Sequence, residues 1–216
     1  MTHTSPPGPW ARFWAERRRE FLVSLTLTPV VAWLFGEALE WAEARPYGWH
    51  FADPVLAALG PWDVTHLTLA LSWSSLGLWI ARWSRRPMLL MEFGQLYALL
   101  MAFKLGMMAL VPLYAPPDII VLRDPYIDVF FYQGEPKVRD LMFSGHTAQP
   151  IALALLLRPG LARKALWIIA ALVGACVMVQ HVHYSIDVAA APLFAWLAFK
   201  AHRWIVGHWR DPAANY

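Results

Sequence analysis

The sequence predicts an all-helical integral membrane protein, a bundle of six transmembrane helices with both termini in the cytoplasm. Hydrophobic residues make up 58% of the 216 residues and charged residues 15%, whereas soluble domains have about 45–50% and about 25%. The mean hydropathy of +0.40 points the same way. A single cysteine excludes a disulfide-stapled secreted domain. The net charge of +3 is small, so we expect no nucleic-acid partner.

Apolar runs define the spans, because a helix needs about 17–25 such residues to cross a bilayer core. The first 20 residues contain no long apolar region and end in charged residues, which predicts no cleavable signal peptide. We expect residues 1–20 to form an amphipathic cytoplasmic segment, 21–207 the membrane domain and 208–216 a cytoplasmic tail. The six predicted spans are 21–41, 64–82, 88–113, 141–158, 163–183 and 186–206.

The distribution of Lys and Arg predicts the orientation. Of the 18 such residues, thirteen fall on the side of the two termini and four in the opposite loops. Since cytoplasmic loops carry the excess of positive charge, loops 42–63 and 114–140 and the turn at 183–186 are expected to face outward. The composition and the short loops are typical of a protein of the bacterial cytoplasmic membrane, which would make the outer face periplasmic.

Two polar clusters border the predicted spans at this outer face, where ionisable residues are costly and indicate function. They are DLMFSGHT at 140–147 and HVHYSIDV at 181–188. Four residues apart, His183 and Asp187 share one helical face, and the carboxylate would orient the imidazole as a nucleophile. His146, from another helix, would act as acid and then as base. This arrangement suits group transfer through a phosphohistidine.

The two clusters resemble the signatures of the type-2 phosphatidic acid phosphatase superfamily, which has SGHT, here at 144–147, and a histidine followed four residues later by an aspartate. The longer strings, DLMFSGHT at 140–147 and HYSIDV at 183–188, are closer to its sphingomyelin-synthase-like branch. The resemblance implies six spans, an outward-facing site and the same roles for the two histidines and the aspartate.

The chain departs from the phosphatases of this superfamily at two positions. They have Lys-x6-Arg-Pro before the first histidine motif, but here Lys104 is followed by Val111 and Pro112. They also have Ser-Arg six residues before the nucleophile, where this chain has Cys176 and Val177. Two phosphate-binding arginines are therefore missing. Because a monoester dianion needs more positive charge than a diester monoanion, we expect a phosphodiester donor.

Other polar residues are candidates for binding the phosphate group. Lys104 is either a phosphate ligand or a lysine that snorkels to the interface, and Arg123 either contacts phosphate or lies in an ordinary turn. Asp140 either caps the fourth helix or orients the histidine of its motif. Lys137 is a further possible replacement for the missing arginines. The predicted substrate-binding residues are Lys104, Arg123, Arg139, Asp140, Ser144 and Gly145.

A metal site is the alternative use of the second cluster. His181, His183 and Asp187 have donor atoms that zinc accepts. A carboxylate-oriented imidazole needs no metal for phosphoryl transfer, and no cysteine cluster accompanies these residues. We therefore expect no metal and no organic cofactor.

Together these features predict a membrane enzyme of lipid metabolism. It would transfer a phospho-head-group, of the phosphocholine or phosphoethanolamine type, from a phospholipid to a lipid alcohol or to water. A lipid phosphate phosphatase, acting on phosphatidate or a polyprenyl pyrophosphate, would use the same residues with water as acceptor. A non-catalytic membrane scaffold is the third alternative.

Overall fold

The computed structural model describes residues 8–124 and 136–209. Within these ranges the secondary structure is helical, apart from one isolated bridge between Trp49 and Leu113, which confirms the all-helical class. The helices described are α1 (Pro9–Ala44), α2 (Pro54–Ala58), α3 (Thr65–Trp83), α4 (Pro87–Leu110), α5 (Gly145–Leu155), α6 (Leu161–Val179) and α7 (Ser185–Trp209).

Each predicted span overlaps one helix of the structure, and α2 is a short addition in the loop after α1. Three helices, α1, α4 and α6, are long and apolar enough to cross a membrane. The predicted fourth span, 141–158, is helical only over the 11 residues of α5. Ser144 caps this helix by accepting from the N–H of Thr147. The helix therefore begins at Gly145, and residues 136–144 before it are not helical.

The predicted domain boundary at residue 20 falls inside a continuous helix, because α1 runs unbroken for 36 residues. The remainder of the predicted terminal segments, residues 1–7 and 210–216, lies outside the described residues. So does 125–135, the middle of the predicted outer loop 114–140.

The centre of the bundle is α5, which packs against α3, α4, α6 and α7. Eight consecutive residues of this helix, from Thr147 to Ala154, are buried, and Ala148, Ile151 and Ala152 join the main hydrophobic core. The helices α6 and α7 meet closely: a Cβ on Gly174 would lie 2.8 Å from Val188 Cγ1. This packing fixes α5 and α7, the two helices that carry the motif histidine and aspartate.

Loops from distant parts of the chain meet at one end of this bundle. Trp49 N donates to Pro112 O, and Tyr114 N donates to Trp49 O, which joins loop 45–53 to loop 111–124. Ile120 N donates to Gln180 O at the turn between α6 and α7. Farther along, Glu43 at the end of α1 accepts from the backbone N–H groups of residues 138 and 139. The segments that the charge pattern assigns to the outer side therefore share one end of the molecule, which we call the site end.

Candidate active site

A buried histidine–aspartate pair lies at the start of α7. Nδ1 of His183 is 3.1 Å from Oδ2 of Asp187, and the two residues are only 2% and 0% exposed. Because an ionised carboxylate only accepts hydrogen bonds, Nδ1 carries the ring proton and Nε2 keeps its lone pair. The structure thus brings together the predicted nucleophile and its orienting carboxylate.

Backbone hydrogen bonds hold this carboxylate in place. Oδ1 of Asp187 accepts from Met142 N at 3.2 Å, and Oδ2 accepts from Tyr184 N at 3.2 Å. The carbonyl of Asp187 also accepts from Ser144 N at 3.0 Å. The two sequence motifs are therefore bonded directly to each other, and a shift of one motif would move the other.

Asp53, which the sequence analysis did not single out, anchors the start of α7 from a distant loop. Its carboxylate accepts from Ser185 N at 2.6 Å and from Ser185 Oγ at 3.0 Å. The same group caps α2 through the N–H groups of Val55 and Leu56. The local signal in the sequence, an aspartate before a proline, predicts only the α2 cap and gives no sign of the contact 132 residues away.

Burial changes the protonation behaviour of His183, which lies in the turn between α6 and α7 and outside both helices. Desolvation lowers the pKa of His183 below its ordinary value of 6.5, and the hydrogen bond from its ring to Asp187 opposes that shift without cancelling it. The imidazole is therefore held neutral, the form that has a nucleophilic nitrogen.

His146 lies in the first turn of α5, at the same end. Its Nε2 is buried and lies 3.9 Å from Oδ2 of Asp124. Asp124 is 2% exposed and accepts a hydrogen bond from Trp73 Nε1 at 2.9 Å. The sequence pattern singles out Arg123, the residue before Asp124, and not the aspartate itself, although a carboxylate that closely follows the apolar run IIVL at 119–122 is an available signal.

Lys104, which is buried, forms an ion pair with the partly exposed Asp140. The distance from Nζ to Oδ1 is 2.9 Å, and Nζ also donates to the carbonyls of Phe143 at 2.7 Å and Asp140 at 3.3 Å. Only 4% exposed, this lysine does not snorkel to an interface. Likewise Asp140 does not cap α5, because Ser144 does. The predicted phosphate contact of Lys104 stays a prediction, and its observed bonds hold the segment that precedes α5.

Ser144 and Gly145 serve the start of α5. The Ser144 hydroxyl accepts from Thr147 N and from Thr147 Oγ1, and Ser144 is fully buried. A Cβ on Gly145 would lie 3.8 Å from Lys104 Nζ, and Gly145 itself lines the larger cavity described below. Their predicted contact with substrate stays a prediction.

The cations of the loops differ in where they lie. Arg139 Nη1 donates to the carbonyls of Arg45 and Ala42 at the end of α1, and its guanidinium stacks on the Tyr114 ring. Arg123 is exposed and directly precedes the buried Asp124. By contrast, Lys137 lines the same small cavity as the two catalytic candidates. Of the possible replacements for the missing arginines, Lys137 is the one that the structure places in this cavity.

Two cavities meet at His146. A small polar cavity of about 30 Å³ is lined by both candidate histidines, by Asp124 and by Lys137. A larger cavity of about 290 Å³ is lined mainly by apolar side chains of α1, α3, α4 and α5. The residues shared by both linings are Asp124, Asp140 and His146. The larger cavity has the apolar character that a lipid chain requires.

His181 lies beside this site but is engaged elsewhere. Its Nδ1 is 3.0 Å from the carbonyl oxygen of Pro117, and its Nε2 is 2.9 Å from that of Leu59. Since both ring nitrogens face backbone oxygens and Nδ1 of His183 faces Asp187, this arrangement disfavours the zinc alternative. His181 instead joins two loops to the turn between α6 and α7.

Comparison with known protein families agrees with this geometry. Residues 139–204 match the family model described as PAP2 superfamily C-terminal. The match contains both candidate histidines and the aspartate, and it supports the PAP2 superfamily. Together with the apolar helices the match indicates a membrane protein, and it is compatible with a lipid phosphatase or phosphotransferase, since enzymes of these kinds make up that superfamily. No curated protein and no solved structure was found to match the chain.

Proposed function

We propose that this PAP2-like protein transfers a phospho-head-group from a phospholipid to a lipid alcohol or water, with phospho-His183 as the intermediate. One observation carries the proposal. The oriented imidazole of His183 and the imidazole of His146 line one small polar cavity, which adjoins the larger apolar cavity at His146. A reacting phosphate group between the two rings would thus lie beside space for a lipid chain.

The chemistry proceeds in two displacement steps. In the first, Nε2 of His183 attacks phosphorus, the bond from phosphorus to the diacylglycerol oxygen breaks, and His146 gives its proton to that oxygen. In the second, His146 takes a proton from the acceptor hydroxyl as this oxygen attacks the phosphohistidine, which frees His183. Asp187 stabilises the positive charge that develops on the His183 ring in the first step.

The charges of the described residues favour a diester donor. The small cavity is lined by the carboxylates Asp124 and Asp140 and by the cation Lys137. Lys104 is paired with Asp140, and Lys137 with Glu40 at 2.9 Å. These three carboxylates of the described residues face only two cations, so the set suits a monoanion better than a dianion, whose second charge would need another cation. The orientation predicted from Lys and Arg would place this reaction on the outer face.

The test uses purified protein in detergent with phosphatidylcholine or phosphatidylethanolamine labelled in the head-group phosphate, with and without added diacylglycerol or ceramide. We expect label on a new lipid or in a water-soluble phosphorylated head group. His183→Gln should abolish both products, whereas His66→Gln, at an exposed position of α3, should leave them unchanged.

Other products would contradict this proposal. Release of inorganic phosphate from phosphatidate, with no turnover of the diesters, would identify a lipid phosphate phosphatase. An absence of any turnover by the wild-type protein on these lipids would favour a scaffold that does not catalyse.

A further inference from the structure

The general acid of the proposed reaction has a carboxylate neighbour that neither motif contains. His146 Nε2 is buried and forms no hydrogen bond with the described residues, yet it lies 3.9 Å from Asp124 Oδ2. An approach of about 1 Å would turn this contact into a hydrogen bond. Such bonds between catalytic groups are often long before substrate binds.

Trp73 restrains the carboxylate in this position. Its Nε1 donates to Oδ2 of Asp124 at 2.9 Å, the same oxygen that faces His146. The indole belongs to α3, and its ring lines the larger cavity together with Asp124 and His146. A helix of the bundle therefore positions an oxygen of the loop toward the histidine.

The other charged groups around His146 are directed to different partners. Asp140 is paired with Lys104 at 2.9 Å, and Asp187 with His183 at 3.1 Å. Lys137, also in the lining of the small cavity, is paired with Glu40. Asp124 is the carboxylate that the structure places within ion-pair distance of His146.

From this geometry we propose that Asp124, held by Trp73, is the positioning residue of His146 and stabilises its protonated ring before proton transfer. The inference rests on the proposed function. With Nε2–H directed to Asp124, Nδ1 is the nitrogen that serves the reaction. It gives its proton to the leaving oxygen as the bond to phosphorus breaks, and later accepts the proton of the attacking hydroxyl. The two histidines would thus form two imidazole–carboxylate pairs that face one phosphate.

The decisive test varies the leaving group. One substrate is whichever of phosphatidylcholine and phosphatidylethanolamine the wild-type enzyme uses, and the other is the 4-nitrophenyl ester of the same phospho-head-group. A nitrophenolate leaves without a proton, whereas a lipid alkoxide needs one. Asp124→Asn should slow single-turnover cleavage of the lipid by about 10- to 100-fold, part of what an acid–base group contributes. The first-turnover burst of nitrophenolate should change by less than about threefold.

Companion variants separate positioning from a structural defect. Trp73→Phe removes the N–H but keeps an aromatic ring, and should slow lipid cleavage by a few-fold, whereas Asp124→Glu should recover part of the rate. The matched control is Asp118→Asn, an exposed aspartate of the same loop, which should match wild type on both substrates.

Equal slowing of both substrates by Asp124→Asn, or rates equal to those of Asp118→Asn, would overturn the role of Asp124. Failure of the wild-type enzyme to form a phosphoenzyme with either substrate would instead overturn the proposed function.

Discussion

Two regions of the chain contribute to the candidate site in different ways. The C-terminal region, residues 139–204, supplies the groups proposed to react: His146, His183 and Asp187. The preceding region, residues 8–138 as far as they are described, supplies the groups that hold them, including Asp53 and Asp124. The first set lies in two short strings that a pattern identifies, whereas the second set reaches the site through contacts between distant parts of the chain.

The two regions differ in how far apart in the chain their contacting residues lie. The hydrogen bond of His183 to Asp187 spans four residues, whereas that of Trp73 to Asp124 spans 51 and that of Ser185 to Asp53 spans 132. Three of the four helices that line the larger cavity, α1, α3 and α4, also come from the preceding region. Under the proposed function, the reacting groups thus come from the C-terminal region, whereas the lining of the larger cavity comes from both regions.

The largest effect is expected within the C-terminal region. Asp187→Asn removes the charge that stabilises the His183 ring, and turnover should fall by about 10³- to 10⁴-fold. Single-turnover rates with labelled phospholipid measure this loss. The thermal midpoint serves as a control, because the carboxylate also accepts two backbone N–H bonds. A loss below about tenfold would mean that the pair is structural.

Lys137, in the preceding region, is compared with Arg139, in the C-terminal region, as the cation that would bind phosphate. Lys137→Met should raise KM by about 10- to 100-fold, since a charge-assisted hydrogen bond contributes about 1.5–3 kcal/mol. Arg139→Met should leave KM unchanged and lower the thermal midpoint, because its guanidinium bonds to carbonyls of α1. The reverse result would return phosphate binding to the predicted Arg139.

The pH dependence tests the burial of His183. Desolvation lowers the pKa of His183 below 6.5, and the neutral ring is the nucleophile, so kcat/KM should remain high as pH falls to 6.5. At pH values below the pKa of His183, kcat/KM should decline about tenfold per pH unit, the acid limb of the profile. A profile over about pH 4.5 to 8 measures this limb. A limb above 6.5, or a rate that does not vary with pH, would count against a buried imidazole nucleophile.

The smallest effect is expected at the anchor in the preceding region. Asp53→Asn leaves the half-buried Ser185 N–H without its carboxylate acceptor, which should cost about 1–3 kcal/mol of stability and reduce turnover by less than about tenfold. Thermal unfolding in detergent measures the first quantity. Asp63→Asn is the matched control, because exposed Asp63 accepts a hydrogen bond from Thr65 N at the start of α3. An equal loss in both variants would indicate a capping effect without any role at α7.

The sequence predicts the helical class and the pair of His183 and Asp187 because both depend on short-range patterns, hydropathy and spacing. It leaves two roles open for Asp140, of which the cap role belongs to Ser144, and it overlooks Asp53 and Asp124. The reason is physical: a carboxylate in a loop has several acceptor sites and no periodicity, so its partner is set by tertiary packing. The same holds for Lys104, whose bonds to the segment before α5 depend on how α4 meets that segment.

The length of α5 bears on how a lipid substrate would reach the site of the proposed enzyme. Eleven residues rise about 16 Å at 1.5 Å per residue, whereas the hydrocarbon core of a bilayer is about 30 Å thick. If the C-terminal end of α5 lies near one surface of the bilayer, His146 at its N-terminal end would lie well below the opposite surface. A lipid would then react without leaving the bilayer, after diffusing sideways into the protein. Turnover would follow the mole fraction of substrate among the surrounding lipids, as in surface-dilution kinetics, and not its concentration in bulk solution.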